Sequence, residues 1–316
     1  MSQPKIAIII LNWNRPTDTL ECLESLQKIH YSNYEIVVVD NGSTDDSVAL
    51  IKQSYPTLCM IENGENLGFA EGNNRGIEAA LAKNADYILL LNNDTVVHPD
   101  ILQAFAAAAT EHPNAGAFGA KIYFYDEPTL IWHAGGDIDK HGRCVHIGCG
   151  ECDLEKKRET IAKIGYACGC AILIKSEVVR RVGMLCPKFF LIWEEIDFCW
   201  RVRNAGYDCL FVPKAKLWHK ISTSFEGGNH GPIWQYFYWR NRLLFLEKHL
   251  SPKKRFKFYL MVFPREFFFI LMRSFKEKSE QNRALYKCAL KGIRDYAFRK
   301  FGPGTIFNRR RGQEKK

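Results

Sequence analysis

Apolar residues fall along the first hundred positions in short unbroken runs, separated by stretches with helical spacing. Ile6–Leu11 is continuously apolar, the pattern of a strand covered on both faces. Thr17 and Asp18 can cap a helix that carries Leu20, Leu23 and Leu26 on one side. Tyr34–Val39 predicts a second strand, and Asn41-Gly42-Ser43-Thr44-Asp45 a turn that opens a helix through Val48 and Ile51. Leu58–Ile61 predicts a short third strand. Asn66-Leu67-Gly68 leads into an alanine-bearing helix up to about Lys83, and Tyr87–Leu91 is a fourth strand. Strand–helix alternation of this kind predicts an α/β class fold, an open parallel sheet with helices on both faces.

The pattern changes after position 116. Gly116–Ile122, Ile131–Ile138 and Ala171–Ile174 read as strands around a loop rich in Gly, Cys and charge, and Ser176-Glu177-Val178-Val179 starts a helix. Beyond Ile233, aromatic and basic residues interleave in helical spacing. No internal repeat is evident.

Several predicted strands end in polar residues that can carry chemistry. Asp40 follows Val37-Val38-Val39 at the carboxyl edge of the sheet, where open α/β sheets bind ligands. Its carboxylate can accept a hydrogen bond from a pyrimidine N–H, or it can cap the Asp-Asn-Gly turn. Asn66–Gly76 holds three glycines and three amides at a helix entry, a segment that offers N–H groups to phosphate. It is not the dinucleotide GxGxxG fingerprint. Asn92-Asn93-Asp94-Thr95 closes the fourth strand with one carboxylate among amides, oxygen ligands suited to Mg²⁺ or Mn²⁺ when a diphosphate supplies the rest. Trp193-Glu194-Glu195-Ile196-Asp197 is a second acidic cluster. Glu194 and Asp197 share a helix face while Glu195 points elsewhere, so one carboxylate can position and another accept a proton. His219 is either a core histidine or a metal ligand.

Composition narrows the function classes. The chain has 316 residues, 47% of them hydrophobic, enough for a sizeable core. Its 11 cysteines are odd in number and scattered, which argues against a secreted disulfide framework. Cys144, Cys149, Cys152, Cys168 and Cys170 do not form paired zinc knuckles. No run approaches the roughly 18 apolar residues of a spanning helix, and the N-terminal apolar segment is too short for a signal peptide, so a cytoplasmic chain is expected. Charge is uneven: residues 239–316 carry 22 Lys and Arg against 6 Asp and Glu, net +16, and the remainder is net −7. A basic tail on an acidic body predicts an anionic partner. Phe258–Phe263 and Phe267–Met272, flanked by Lys253, Lys254, Arg255, Lys257 and Arg273, suit helices lying on an anionic membrane face, or a pair that packs on the body or forms a homodimer. No nucleic-acid module accompanies them.

Taken in order, these segments resemble the inverting family 2 glycosyltransferases of GT-A fold, especially the rhamnosyltransferase-like branch. The resemblance rests on Ile8–Arg15, Val39–Asp45, Asn66–Gly76, Leu91–Thr95, Gly165–Gly183, Phe189–Arg201, Trp218-His219 and Tyr238-Trp239-Arg240-Asn241-Arg242. It covers about residues 5–245, implying a catalytic domain over 1–238 and a helical region over 239–316. It implies a nucleotide-sugar site from Asn12, Asp40, Asn41, Asn66, Gly68, Asn74, Asn92 and Asn93, with Asp40 on the pyrimidine base. Asp94 would hold Mg²⁺ or Mn²⁺, completed by His219. Asn92 stands where the family's DxD motif has its first Asp. Glu194-Glu195 stands at the family's acidic pair, so Glu195 would be the base, one methylene longer than the usual Asp. Trp193 would either wall the acceptor site or, as a large indole, lie in the core. The implied reaction takes TDP-rhamnose or a UDP-hexose to a saccharide or lipid-linked saccharide acceptor in cell-surface polysaccharide synthesis, at the inner face of the membrane. Two other readings are a nucleotidyltransferase, which expects a Gly-rich basic loop where this chain has Asn12-Trp13-Asn14-Arg15-Pro16, and a non-catalytic membrane component retaining the nucleotide fold.

Overall fold

The computed structural model describes residues 3–155, 158–221 and 231–308. The chain forms two compact units. One comprises residues 1–137, 144–186 and 194–221, the other 138–143, 187–193 and 222–316.

The first unit begins β1 (Ile6–Asn12), α1 (Pro16–Leu26), β2 (Tyr34–Asp40), α2 (Ser47–Ser54), β3 (Cys59–Glu62), α3 (Gly68–Ala82) and β4 (Tyr87–Asn92). It continues β5 (Thr95–Val97), α4 (Ile101–Glu111), β6 (Ala115–Phe124), β7 (Ile131–His133), β8 (Gly136–Ile138), β9 (Cys144–His146), β10 (Ala162–Lys163), β11 (Ala171–Lys175), α5 (Ser176–Val182), α6 (Glu194–Asn204) and β12 (Asp208–His219). One sheet runs β10-β12-β6-β11-β4-β1-β2-β3, with β5 added on β12 and β7 on β6. The β3-β2-β1-β4 half is parallel, as alternation with helices requires. β11 enters antiparallel between β4 and β6. The sheet is therefore mixed but mostly parallel, with flanking helices, as the GT-A resemblance implies.

The unbroken apolar run of β1 serves both faces. Ile6, Ile8 and Ile10 join Leu23, Leu26, Ile101 and Phe105 from α1 and α4 in one core cluster. Ile9 points the other way, onto α3, and the approach there is close. A Cβ on Gly76 would sit 2.4 Å from Ile9 Cγ2, so only glycine lets this helix seat. α1 starts one residue earlier than its predicted cap. Pro16 takes the first helical position, Arg15 precedes it at φ +58°, and no side chain caps the end. Thr17 and Asp18 thus lie inside the first turn.

The second unit adds α7 (Pro232–His249), α8 (Pro252–Met261), α9 (Phe263–Lys276), α10 (Glu280–Ala297) and α11 (Gly304–Asn308). The expected domain boundary at 238 falls within α7. α10 lies tightly on α7: a Cβ on Gly292 would meet the Tyr236 carbonyl oxygen at 2.2 Å, and Tyr236 donates to Asp295 at 2.7 Å. Inside this unit Arg242 donates to the carbonyls of His141 and Gly142 and pairs with Glu266 at 2.8 Å.

Candidate active site

The carboxyl ends of β1, β2 and β4 carry a buried polar chain. Asn93 Nδ2 donates to Thr19 Oγ1 (2.9 Å), which donates to Asn12 Oδ1 (2.6 Å); Asn12 Nδ2 donates to Asp40 Oδ1 (2.8 Å). Asp40 also accepts from Ser43 Oγ (2.5 Å), Ser43 N (2.9 Å) and Gly42 N (3.2 Å). Those four donors match the lone-pair capacity of a carboxylate. Asp40 therefore organises the turn after β2, and a base N–H would have to share it. Gly42 sits at φ +74°, where a Cβ would lie 2.5 Å from the Glu65 backbone, so glycine is required there.

Asn41 ties this turn to the next. Its amide donates to Asn66 Oδ1 (3.1 Å) and the Gly68 carbonyl (3.2 Å), and its oxygen accepts from Leu67 N (3.1 Å). Asn66 Oδ1 accepts from Gly68 N at 2.8 Å. Asn74 behaves differently. It is buried in α3 and exchanges two hydrogen bonds with the Leu185 backbone, at 3.0 and 3.1 Å. That use makes Asn74 a brace between α3 and the segment after α5, rather than a group facing ligand.

Asp94 and His219 meet across β5 and the end of β12, where Thr95 pairs with His219. His219 Nε2 lies 3.1 Å from Asp94 Oδ1, and both residues are buried. Burial pushes the Asp94 carboxyl up, but attraction and hydrogen bonding from His219 outweigh it and hold it below the ordinary carboxylate value. His219 Nδ1 is buried and has no hydrogen-bond partner among the described residues. The two side chains fit a divalent cation that takes its other ligands from diphosphate and water. Among the described residues no group of three or more His, Cys, Asp or Glu could enclose a metal alone. Asn92 is half-buried and adjoins them, and its carbonyl accepts from Thr95 Oγ1.

The second acidic cluster opens α6. Glu194 is buried, and Oε2 has no hydrogen-bond partner among the described residues. Burial above all, then the charge of Glu195, raises its carboxyl well above the ordinary value. Glu195 is only half-buried. It lies over Gly169, where a Cβ would be 3.6 Å from Glu195 Cβ and 3.4 Å from the Phe69 ring. Asp197 has no exposed surface and accepts from Arg201 Nε at 2.9 Å, while the rest of that guanidinium holds the carbonyls of Val182, Gly183 and Met184. Asp197 therefore anchors α6 to the end of α5, which corrects its placement among the reacting groups. Trp193 is corrected likewise. It is fully buried against Phe245 and Tyr238, ring centroids 5.1 and 5.9 Å apart, and presents no wall to a ligand.

The short segment Cys168-Gly169-Cys170 connects the two clusters. Asn92 N donates to the Cys170 carbonyl at 2.9 Å. Burial first raises both thiols; the charge of Glu195 adds to Cys168, and Asp94 adds to Cys170. The antiparallel entry of β11 beside β4 thus sets Cys170 on the Asn92 backbone, with the neighbouring Gly169 against Glu195. Sequence reasoning missed Thr19 and Ser43, which were hidden among ordinary cap and turn residues. It also missed Trp132, whose ring centroid is 4.7 Å from that of His219. The adjacent Trp132-His133 pair was a visible signal.

The Glycosyl transferase family 2 model matches residues 7–183. An uncharacterized protein of Sinorhizobium fredii is 31% identical over 70% of this chain, although the chain spans only 25% of that relative. The N-acetylglucosaminyl-diphospho-decaprenol L-rhamnosyltransferase of Mycobacterium tuberculosis is 26% identical over 60% of this chain and 67% of its own length. A dTDP-rhamnosyl transferase of Shigella flexneri is 25% identical, covering 78% and 81%. Among solved structures, a mannosyltransferase from Pyrobaculum calidifontis, in complex with GDP-Man and Mn²⁺, superposes with a TM-score of 0.60 at 14% identity, covering 95% of this chain and 88% of that one. At that identity the likeness speaks for the GT-A fold alone. With the model spanning more than half of the sequence and the fold shared with solved glycosyltransferases, the chain belongs to glycosyl transferase family 2.

Proposed function

We propose that this protein is an inverting glycosyltransferase that moves a sugar from a nucleoside-diphosphate donor to a saccharide or lipid-linked saccharide. The observation that carries the reading is geometric: Cys170 accepts a hydrogen bond from Asn92, two residues before Asp94, at the carboxyl end of β4, and the adjoining Gly169 lies against Glu195. Asp94 and His219 would hold Mg²⁺ or Mn²⁺, which when bound supplies positive charge against the diphosphate. Glu195 takes the proton of the acceptor hydroxyl. That oxygen bonds to the anomeric carbon as the bond to the diphosphate oxygen breaks, and attack from the opposite face inverts the centre. Burial, and then the charge of Glu195, raise the Glu194 carboxyl and so favour its neutral form, which lessens the charge that Glu195 faces. The rhamnosyltransferase names among the relatives favour TDP-rhamnose, with UDP-hexoses next.

We place the acceptor at an anionic membrane. Residues 251–276 contain seven Lys and Arg against one acid, Glu266. That acid is turned inward onto Arg242 and Arg143, so the charged side chains left exposed within 251–276 are cationic. Phe256, Leu260, Phe268, Phe269 and Phe275 are exposed there, the last at 77%. Each basic residue near such a surface contributes about 1 kcal/mol, and each buried Phe about 1.5–3 kcal/mol. No helix among the described residues is long and apolar enough to cross a membrane, so contact would be superficial.

The deciding experiment is calorimetric titration with UDP, TDP and GDP, with and without Mn²⁺, followed by transfer assays with the preferred donor class. Mn²⁺-dependent binding of UDP or TDP that is lost in Asp94→Ala is expected. Absence of binding to all three moves the reading to a non-catalytic component.

A further inference from the structure

We propose that Asn241 and Arg240 are positioning residues for Glu195, acting through the strained backbone that launches α6. The inference rests on the function proposed above. In the chain just before Glu194, three non-glycine residues have left-handed backbone: Phe190 at φ +65°, Ile192 at +66° and Trp193 at +82°. β-branched Ile192 is a conformational outlier by residue type. The connection from α5 to α6 is thereby coiled tightly, and the carbonyls of Phe189, Leu191 and Ile192 converge on one donor.

That donor is Asn241. Its Nδ2 lies 2.8 Å from each of the carbonyl oxygens of Phe189, Leu191 and Ile192. An amide nitrogen has two hydrogens, so the three acceptors share them. The amide cannot turn over, because its Oδ1 accepts from Arg240 Nε at 2.9 Å. Arg240 also donates to the carbonyls of Phe189 (2.8 Å), Lys188 (3.3 Å) and Gly302 (2.7 Å). Both side chains have no exposed surface. A buried arginine and asparagine committed to the carbonyls of one turn is a costly arrangement unless that conformation matters. The next residues along the chain are Glu194 and Glu195, the first two of α6, so loosening this turn frees the residue that precedes them in the chain.

The test uses Asn241→Asp, which keeps shape but sets carboxylate oxygens against three carbonyl oxygens, and Asn241→Ala. Amide hydrogen exchange and steady-state transfer are measured on the full chain. Expected are faster exchange over residues 188–196 with protection retained in the central strands, and a fall in kcat on the order of 10²-fold with nucleotide affinity unchanged. Ile192→Gly placed in the Asn241→Ala background restores part of kcat, because glycine takes positive φ without strain. Uniform loss of protection throughout the chain, or unchanged exchange at 188–196, overturns the proposal. Loss of nucleotide affinity in step with kcat also overturns it, since that marks general damage. If the wild type transfers no sugar, the underlying function fails, yet local loosening at 188–196 still upholds the clamp.

Discussion

Glu194 and Glu195 are neighbours in sequence, but their surroundings assign them opposite tasks. Glu194 is buried with an unsatisfied oxygen and a raised pKa, so glutamine mimics its neutral form. Glu194→Gln is expected to retain transfer within about threefold, whereas Glu195→Gln, which cannot accept the proton, should lose on the order of 10²–10⁴-fold in kcat while still binding nucleotide. Rate measurements on the two variants decide between them, and wild-type turnover by Glu195→Gln would remove it as the base. The linkage sign follows for Glu194. Its folded pKa lies above the ordinary value, so its ionisation opposes folding as pH rises past that value, and Glu194→Gln should be the more stable protein at alkaline pH. Helical spacing and the family resemblance already set the two residues apart; their burial adds the electrostatic difference.

At the scale of elements, short turns and single helices carry separable tasks. Gly42→Ala must adopt positive φ and would press on the Glu65 backbone, so it should destabilise the protein by more than about 1 kcal/mol in denaturant unfolding. Helices α8 and α9 supply none of the proposed site residues. Phe268→Ser with Phe269→Ser should abolish flotation with phosphatidylglycerol vesicles and leave turnover of a soluble acceptor intact. If wild-type protein ignores these vesicles and light scattering instead reports a dimer broken by the same substitutions, this face is an interface between copies. Amphipathic composition was legible there from the interleaving of Phe with Lys and Arg. The inward turn of Glu266 was not, because Arg143 and Arg242 reach it from distant positions.

In the whole molecule, the helical unit should respond to acid in its own window. Asp295 accepts from Thr305 and Tyr236, and despite burial these bonds and Arg294 hold its carboxyl at about 2 against an ordinary 3.8. A depressed pKa supplies stability that is complete above 3.8 and is lost as pH falls toward 2. Far-ultraviolet dichroism should show helix loss over that interval, flattened in Asp295→Asn.

The sequence alone determined the alternating elements, the edge at which β1, β2 and β4 present Asn12, Asp40 and Asp94, and the family resemblance. The elements and the edge follow from periodicity and turn chemistry, which act over a few residues; the resemblance follows from the order of the motifs along the chain. The sequence could not determine that β11 enters antiparallel, that Arg201 carries Asp197 onto the carbonyls of Val182, Gly183 and Met184, or which of wall and core Trp193 would be, because each depends on what packs against it. The Asp94–His219 contact spans 125 positions and exists because β12 pairs with β5 in one register. Long-range pairing and burial decided which of the legible polar groups face the site and which brace it.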